Sequence, residues 1–322
     1  MLVGTNKGVT SKFNKRHTEI LSETNKYESN NDYLFESFSD IDSYIGMLKE
    51  FDKLDLKDKS SLEISQIYFK YAPIIPQIWF GQRIERFNNR SFYRVRKNID
   101  PVKENLNLMS TYSYPSSILC SFNGRANLKG KSVFYCSDEA VPSILESKLI
   151  NGDIGYLSIW KPKAIREIRI QYCLPHTLRP DNKWNEVRKD IHPLINDHII
   201  KNFKEKQKHY VALINFLFFK FSTENYPYVL SSWLADKYLY GENWIDIILF
   251  PSVASGTMDC NMAIHPNTVD ENIRFEKVIK FKVIEVNSDN IKYSPISVGE
   301  LVNQNIKWRD VNPNEKDFST LK

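Results

Sequence analysis

The sequence predicts a mixed α/β fold in which helices pack around a central β-sheet. From residue 91 onward, short runs rich in β-branched and aromatic residues alternate with stretches at helical spacing, and this alternation is typical of α/β domains. The chain has 322 residues, of which 42% are hydrophobic and 26% charged, so it is long enough to bury a sizeable core. Before residue 86 the pattern is helical only. We therefore expect an α/β domain preceded by an N-terminal helical extension.

The first 85 residues are expected to form a flexible terminus followed by this extension. Residues 1–32 are rich in Lys, Asn, Ser, Thr and Glu and show little apolar periodicity, which is typical of a loosely docked terminus. From Ser39 or Asp40, either of which is an N-cap candidate, apolar residues recur at helical spacing, namely Ile41, Tyr44, Ile45, Leu48 and Phe51. A second helix is expected within residues 62–79, where Pro73 and Pro76 convert its end into an extended connector.

Residues 86–290 are expected to form the α/β domain, and residues 291–322 a C-terminal tail. Strands are predicted where β-branched and aromatic residues concentrate, at Phe92–Val95, Ser132–Tyr135, Ile165–Tyr172, Trp244–Phe250 and Lys277–Val286. Helices are predicted from apolar periodicity at Glu139–Leu149, within Asn185–Gln207, at Val211–Phe221 and at Leu230–Tyr240. No internal repeat interrupts this order, so we do not expect a repeat array.

The composition argues against several classes of function. The 44 Lys and Arg residues and 39 Asp and Glu residues give a net charge of +5 that is spread along the chain, so no nucleic-acid-binding surface is expected. The four cysteines form no CxxC pair and the histidines lack metal-ligand spacing, so we expect no metal site, and reduced thiols favour a cytoplasmic protein. The N-terminus lacks the apolar core of a signal peptide, and the most apolar run, residues 211–221, is too short to cross a bilayer. The sequence contains no Walker A motif and no GxGxxG after a predicted strand. A P-loop or Rossmann mode of nucleotide binding is therefore not indicated.

One stretch carries the strongest candidate site. Gly124 and Gly130 flank a polar turn, and Arg125 lies at its start. The predicted strand that follows ends at Tyr135. Eleven residues later, Glu146 flanks the apolar face of a predicted helix. Turn, strand end and helix can therefore converge on one cleft. Each of these residue types is common in its setting, so the pattern alone does not distinguish a site from ordinary structure.

Several ordered motifs across roughly residues 92–286 resemble the signature of the RES domain family. In chain order they are Phe92-Tyr93-Arg94, Gly124-Arg125-Ala126-Asn127 with Gly130, Val133-Phe134-Tyr135, Glu146, Leu249-Phe250-Pro251-Ser252-Val253 and Asn261-Met262-Ala263-Ile264. The family takes its name from Arg, Glu and Ser, which here would be Arg125, Glu146 and Ser252, and Tyr135 matches a fourth marker at the usual spacing.

The resemblance implies an ADP-ribosyltransferase-like fold and an activity that destroys NAD+. RES proteins split the nicotinamide N-glycosidic bond by hydrolysis or by phosphorolysis, and many act as the toxin of a bacterial toxin–antitoxin pair. NAD+ would then be the substrate and phosphate a candidate co-substrate, with no further cofactor required. A cognate antitoxin is the partner that a toxin implies, and a homo-oligomer is left open.

The chemistry of the matched residues fits this task. Arg94 and Arg125 would hold the pyrophosphate through charge-assisted hydrogen bonds, and Tyr135 would stack on the cationic nicotinamide. A carboxylate near the ribose would stabilise oxocarbenium character. Ser252 would donate to a phosphate or to the nicotinamide amide, with a local turn as the structural alternative. The expected catalytic residues are Arg125, Tyr135 and Glu146, and the expected substrate-binding residues are Arg94, Asn127 and Ser252.

Two other functions stay open from the sequence. One is a mono-ADP-ribosyltransferase that modifies a macromolecule, and the other is a non-catalytic NAD-binding interaction module. The chain also departs from compact RES toxins, because about 90 residues precede the first motif and a long helical stretch separates Tyr172 from Trp244. The N-terminal helices are interpreted as a lid, an oligomerisation surface, a partner-binding module or a structural cover for the sheet.

Overall fold

The computed structural model describes residues 35, 40–54, 59–175, 178–194, 203–286 and 291–312. The described residues form a mixed α/β structure with a ten-stranded sheet, so the predicted α/β class is confirmed, whereas the ADP-ribosyltransferase-like arrangement stays a prediction. The flexible terminus expected at residues 1–32 lies outside the described residues. No helix in the described ranges is both long and apolar enough to span a lipid bilayer.

The elements are numbered in chain order. The helices are α1 (Ile41–Asp52), α2 (Ser61–Tyr71), α3 (Ile84–Asn88), α4 (Ala140–Glu146), α5 (Asn185–Leu194), α6 (Phe203–Thr223), α7 (Val229–Tyr240) and α8 (Pro266–Asn272). The strands are β1 (Trp79–Gln82), β2 (Phe92–Lys97), β3 (Phe134–Ser137), β4 (Ile154–Pro162), β5 (Ile168–Tyr172), β6 (Ile247–Pro251), β7 (Cys260–Ile264), β8 (Ile273–Val286), β9 (Ile291–Val302) and β10 (Asn305–Asp310).

The sheet is antiparallel apart from one pair of strands. Its order is β1-β5-β6-β7-β3-β2-β4-β8-β9-β10, and only β5 and β6 pair in parallel. A parallel pair requires a crossover connection, and here α5, α6 and α7 lie between the two strands in the chain. The long helical stretch between Tyr172 and Trp244 is therefore the crossover of this pair. The helix expected within residues 185–207 corresponds to α5 and the start of α6, and the one expected at 211–221 is part of α6.

The C-terminal region differs from the sequence expectation. The sequence predicts a tail over residues 291–322, but β9 and β10 continue the sheet beyond β8 as far as residue 310. Residues 313–322 lie outside the described residues. The physical reason is that β8 is long enough to pair with β9 over most of its length, with Val283 opposite Tyr293. Ile306 of β10 is buried, and its backbone N–H donates to the carbonyl of Asn107. The sheet thus holds this region through both backbone and apolar contacts.

The N-terminal helices pack into the core that also contains the sheet. Tyr44, Leu48 and Phe51 form the buried face of α1, which confirms the predicted periodicity. Phe51 stacks on Tyr71 with ring centroids 4.9 Å apart, and the Tyr44 hydroxyl donates to the Ile74 carbonyl at 2.7 Å. Strand β1 pairs with β5 at the edge of the sheet. These contacts join the helical extension to the α/β domain within one hydrophobic cluster.

A buried ion pair stabilises the base of β6. Asp246 is fully buried, and Arg166 donates to both of its carboxylate oxygens, at 2.7 and 2.8 Å. The Arg169 backbone N–H and the Thr268 hydroxyl donate to the same carboxylate, at 2.8 and 2.7 Å. Burial acts to raise the pKa of Asp246, but the hydrogen bonds and charge of Arg166, with those two further donors, lower it below its ordinary value.

Candidate active site

A cavity of about 280 Å³ opens beside the middle of the sheet, where β2, β3 and β7 meet α4. Its size is close to the lower end of the usual range for ligand pockets, about 300–1,000 Å³, so it would enclose one end of a dinucleotide-sized ligand. The residues that line it are Tyr93, Arg94, Val95, Gly124, Arg125, Tyr135, Cys136, Ser137, Ser143, Glu146, Ser147, Tyr228, Phe250 and Asn261.

Four of the six predicted site residues line this cavity, and two lie behind its wall. Arg94, Arg125, Tyr135 and Glu146 are lining residues. The other two contact lining residues instead, because Asn127 accepts a hydrogen bond from Tyr135 and Ser252 donates one to Glu146. The predicted convergence of turn, strand and helix is therefore present, although the β3 strand continues past Tyr135 to Ser137.

The glycine turn is tight and is attached to β3. The backbone N–H of Gly124 donates to the Asn127 carbonyl at 2.9 Å, and the Asn127 N–H returns a bond at 3.3 Å. A Cβ on residue 124 would lie 2.2 Å from the Asn127 Oδ1 and 3.0 Å from the Tyr135 hydroxyl, so the turn requires glycine there. Gly130 has a positive φ of 78° and donates to the Cys120 carbonyl, which closes the loop.

The Tyr135 hydroxyl makes hydrogen bonds to the turn, and Tyr135 also forms part of the cavity wall. The hydroxyl accepts from the Ala126 backbone N–H at 2.5 Å and donates to Asn127 Oδ1 at 3.1 Å. Burial raises the pKa of Tyr135 far above its usual value, which keeps this proton in place. Asn127 uses its Nδ2 to bond the Leu128 carbonyl. Asn127 therefore supports the turn, and Tyr135 positions the neighbouring Arg125.

Arg94 is anchored by the backbone on one side of the cavity. Its Nε donates to the Ser113 carbonyl at 3.1 Å and its Nη1 to the Tyr135 carbonyl at 2.9 Å. Burial, with a smaller effect from nearby Arg96, lowers the pKa of Arg94 to about 10. The guanidinium is still positively charged near neutral pH. It contributes a fixed positive charge to the cavity wall.

Arg125 is held by an aromatic ring and has an unsatisfied donor. Its guanidinium carbon lies 5.0 Å from the centroid of the Tyr228 ring, which is within the range of a cation–π contact. Its Nη1 is buried and donates to no group among the described residues. A buried donor without a partner is costly. Arg125 also lines the cavity, so an anionic ligand bound there would lie close to its guanidinium.

Tyr228 is a lining residue that the sequence reasoning did not identify. It precedes α7 and has a left-handed backbone with φ of 56°, an uncommon conformation for a residue with a bulky side chain. Such backbone strain concentrates at functional sites. The crossover between β5 and β6 therefore contributes directly to the cavity. No local sequence signal distinguishes Tyr228 from its neighbour Tyr226, whose side chain is exposed.

Glu146 is the last residue of α4, and one of its carboxylate oxygens is fixed. Oε1 accepts from the Ser252 hydroxyl at 2.6 Å and from Asn261 Nδ2 at 2.7 Å. Ser252 is completely buried just after β6, and its hydroxyl also accepts from the Ser255 backbone N–H at 3.3 Å. Oε2 accepts no hydrogen bond from the described part of the chain. Ser252 thus contacts Glu146 rather than lining the cavity.

Asn261 is a further lining residue to which the sequence analysis assigns no role, although it belongs to one of the matched motifs. Its Oδ1 accepts from the Ser137 hydroxyl at 2.6 Å, and the two residues are directly opposite in the β3–β7 ladder. The signal that could have found it is its polarity, because the other residues of β7 are apolar and buried. Cys260, Met262 and Ile264 share the buried face, so a polar residue between them projects from the other face of the sheet.

The arrangement supports a defined chemistry. The two guanidinium groups can bind an anionic part of a ligand, and the aromatic rings can stack on a flat part. The Glu146 carboxylate can stabilise a positive charge that develops during a reaction. Among the residues that the structure describes, no group of three or more His, Cys, Asp and Glu side chains is placed to hold a metal ion. Comparison with models of protein families and with curated proteins finds no match to this chain.

Proposed function

We propose that the chain is a RES-type enzyme that degrades NAD+ by cleaving the nicotinamide N-glycosidic bond, with water or phosphate as the acceptor. The observation that carries the proposal is the meeting of Arg125, Tyr135 and Glu146 on one cavity. These residues come from a turn, a strand and a helix end. They are also the residues through which the sequence motifs resemble the RES family.

Substrate binding would use the two arginines. The pyrophosphate of NAD+ is an anion with oxygens that match the donor geometry of guanidinium groups. Arg125 lines the cavity, and its Nη1 has no hydrogen-bond partner among the described residues. Arg94 contributes a charge that its backbone contacts hold in place. With the pyrophosphate at these groups, the nicotinamide riboside would occupy the enclosed part of the cavity beside the Tyr135 ring.

Bond cleavage would depend on Glu146. The C1′–N bond breaks heterolytically, and its electron pair leaves with the nicotinamide nitrogen, which becomes neutral. Positive charge develops on the ribose, and the open Oε2 of Glu146 would stabilise it. Because nicotinamide is a good leaving group, no general acid is needed. Water then forms the new C1′–O bond and loses a proton to give ADP-ribose. With inorganic phosphate, a phosphate oxygen would form that bond instead and give ADP-ribose phosphorylated at the same carbon.

The biological role that follows is that of a toxin acting in the cytoplasm, with an antitoxin as its partner. Loss of NAD+ would halt growth, so a host that makes the active chain needs a neutralising protein. A transferase that passes ADP-ribose to a macromolecule would use the same binding groups, and the two activities differ only in the acceptor that reaches C1′.

Release of free nicotinamide from NAD+ tests the proposal. We expect the purified chain to release nicotinamide in buffer with or without phosphate, and Glu146→Gln to lower kcat by about 10²–10³-fold, as when one group stabilising transition-state charge is removed. The matched control is Glu242→Gln, an exposed glutamate outside the cavity, which should leave kcat unchanged. Wild-type protein that releases no nicotinamide in either buffer would refute the proposal. Radiolabelled ADP-ribose retained on a macromolecule would identify a transferase instead.

A further inference from the structure

Asn261 connects Glu146 to the centre of the sheet through two hydrogen bonds. The Ser137 hydroxyl donates to Asn261 Oδ1 at 2.6 Å, and Asn261 Nδ2 donates to Glu146 Oε1 at 2.7 Å. A carboxylate only accepts hydrogen bonds, so Glu146 takes the Nδ2 end of the Asn261 amide, and Oδ1 is left to accept from Ser137. The donor end is therefore directed at the carboxylate.

The two donors to Glu146 come from different elements and reach the same oxygen. Ser252 follows β6 and Asn261 lies within β7, and both donate to Oε1. The terminal torsion of a glutamate side chain is broad, so a single hydrogen bond leaves the carboxylate free to rotate. Two donors that converge on one oxygen restrict that rotation. Oε2 is then the oxygen left for a ligand.

The side-chain hydrogen bonds of Asn261 are not needed for the pairing of β3 with β7. The β3–β7 ladder already has its own register, in which Ser137 is opposite Asn261, and apolar side chains would fill this position without a polar network. Asn261 also lines the cavity. Its Oδ1 accepts from Ser137 and its Nδ2 donates to Glu146, so both ends of the amide are held.

We propose that Asn261, held at its Oδ1 by Ser137, is a positioning residue that presents Oε2 of Glu146 to the reacting ribose. The proposal rests on the proposed function, because it assigns a task within that reaction. Positioning from two central strands gives the precision that charge stabilisation requires, since groups held within about 0.5 Å of the productive geometry are far more effective.

Asn261→Asp is the sharpest test, because it keeps the shape and the bond from Ser137 but replaces the donor with an acceptor. Two carboxylates at this distance repel unless one takes up a proton. We expect kcat to fall by about 10–100-fold, KM to change by less than about threefold, and the acidic limb of the kcat–pH profile to move to higher pH. The other titratable or charged groups on the cavity, which the variant leaves in place, are Tyr93, Arg94, Arg125, Tyr135, Cys136 and Tyr228.

Three controls separate positioning from folding and from net charge. Asn305→Asp adds the same charge at an exposed site on β10 and should leave kcat and the pH profile unchanged. Ser137→Ala removes only the group that holds the Oδ1 end of the amide, and we expect a loss of kcat smaller than that of Asn261→Asp with no movement of the acidic limb. The midpoint of thermal unfolding should show that each variant is folded at the assay temperature.

The outcome distinguishes this inference from the proposed function. An active wild type together with an Asn261→Asp variant of unchanged kcat and pH profile would overturn the inference and leave the function standing. Wild-type protein without NAD+ cleavage would refute the function, and a crystal structure of Asn261→Asp then decides the positioning role by itself. Rotation of the Glu146 carboxylate in that structure supports the inference, and an unmoved carboxylate contradicts it.

Discussion

Two carboxylates in this molecule, Asp246 and Glu146, differ in how their oxygens are satisfied. Asp246 is fully buried at the base of β6, and its two oxygens accept four hydrogen bonds from three residues. Glu146 is exposed at the end of α4, and the two hydrogen bonds that it accepts from the described residues both fall on Oε1. Both carboxylates receive one bond from a hydroxyl, of Thr268 and Ser252 respectively.

The difference separates a structural carboxylate from a functional one. A saturated and buried carboxylate can only stabilise the fold, because a ligand would have to displace its partners. A carboxylate with one fixed and one open oxygen on a cavity is oriented but still available for a substrate. Residue type and charge are similar at the two sites, so the pattern of hydrogen bonds carries the distinction.

Removal of Asp246 is expected to have the largest effect on stability. Asp246→Ala leaves the guanidinium of Arg166 without its bidentate partner, and breaking a buried pair in this way costs about 3–5 kcal/mol of unfolding free energy. Glu146→Gln, at an exposed position, should change it by less than about 1 kcal/mol. Urea unfolding monitored by tryptophan fluorescence measures both. Equal losses in the two variants would contradict the distinction between the carboxylates.

The surroundings of Asp246 should also make stability depend on pH through His265. The His265 backbone N–H donates to the Asp246 carbonyl, and its Nδ1 accepts from the Asn267 N–H as the N-cap of α8. Burial lowers the pKa of His265 from 6.5 to about 4. As the pH falls below about 6.5, His265 therefore becomes protonated in the unfolded chain before it does in the folded chain. The free energy of unfolding decreases as the pH drops from about 6.5 to about 4.

This titration should cost about 2–3 kcal/mol of unfolding free energy between those pH values. Urea unfolding at pH 7 and pH 4.5 measures it. The control is His265→Asn, because asparagine is a good N-cap that does not titrate; its stability should fall less between the two pH values. An equally steep fall in that variant would assign the effect to other groups.

The hydroxyls of Thr268 and Ser252, each of which donates to one of the two carboxylates, allow the test with the smallest expected effects. Thr268→Val removes a bond to a saturated, buried carboxylate and should lower the unfolding free energy by about 1.5–2 kcal/mol, with activity unchanged. Ser252→Ala removes the equivalent bond from Glu146 and should lower kcat by about tenfold with a smaller loss of stability. Unfolding curves and nicotinamide release, measured on both variants, check this. A reversal of the two effects would mean that Ser252 has mainly a structural role.

Much of the fold could be predicted from the sequence because it follows from local periodicity. The apolar spacing in residues 41–51 predicted α1, and the β-rich run at Phe92–Val95 predicted β2. Strand β4 was not predicted, because it is buried on both faces from Gly155 to Trp160 and shows no alternation. Strand β1 was missed because it is only four residues long and follows two prolines. The strands β9 and β10 depend on pairing with β8, which is not local information.

For the site, the sequence by itself determined which residue types are available: a glycine turn that presents Arg125, a strand with Tyr135 and a helix that ends at Glu146. Only the tertiary structure decided how they are used. Ser252 and Asn261, the two donors to Glu146, lie 106 and 115 residues away in the chain. Such contacts form because β3, β7 and β6 are neighbours in the sheet. Hydrogen bonds between distant segments follow strand order, which no local pattern encodes.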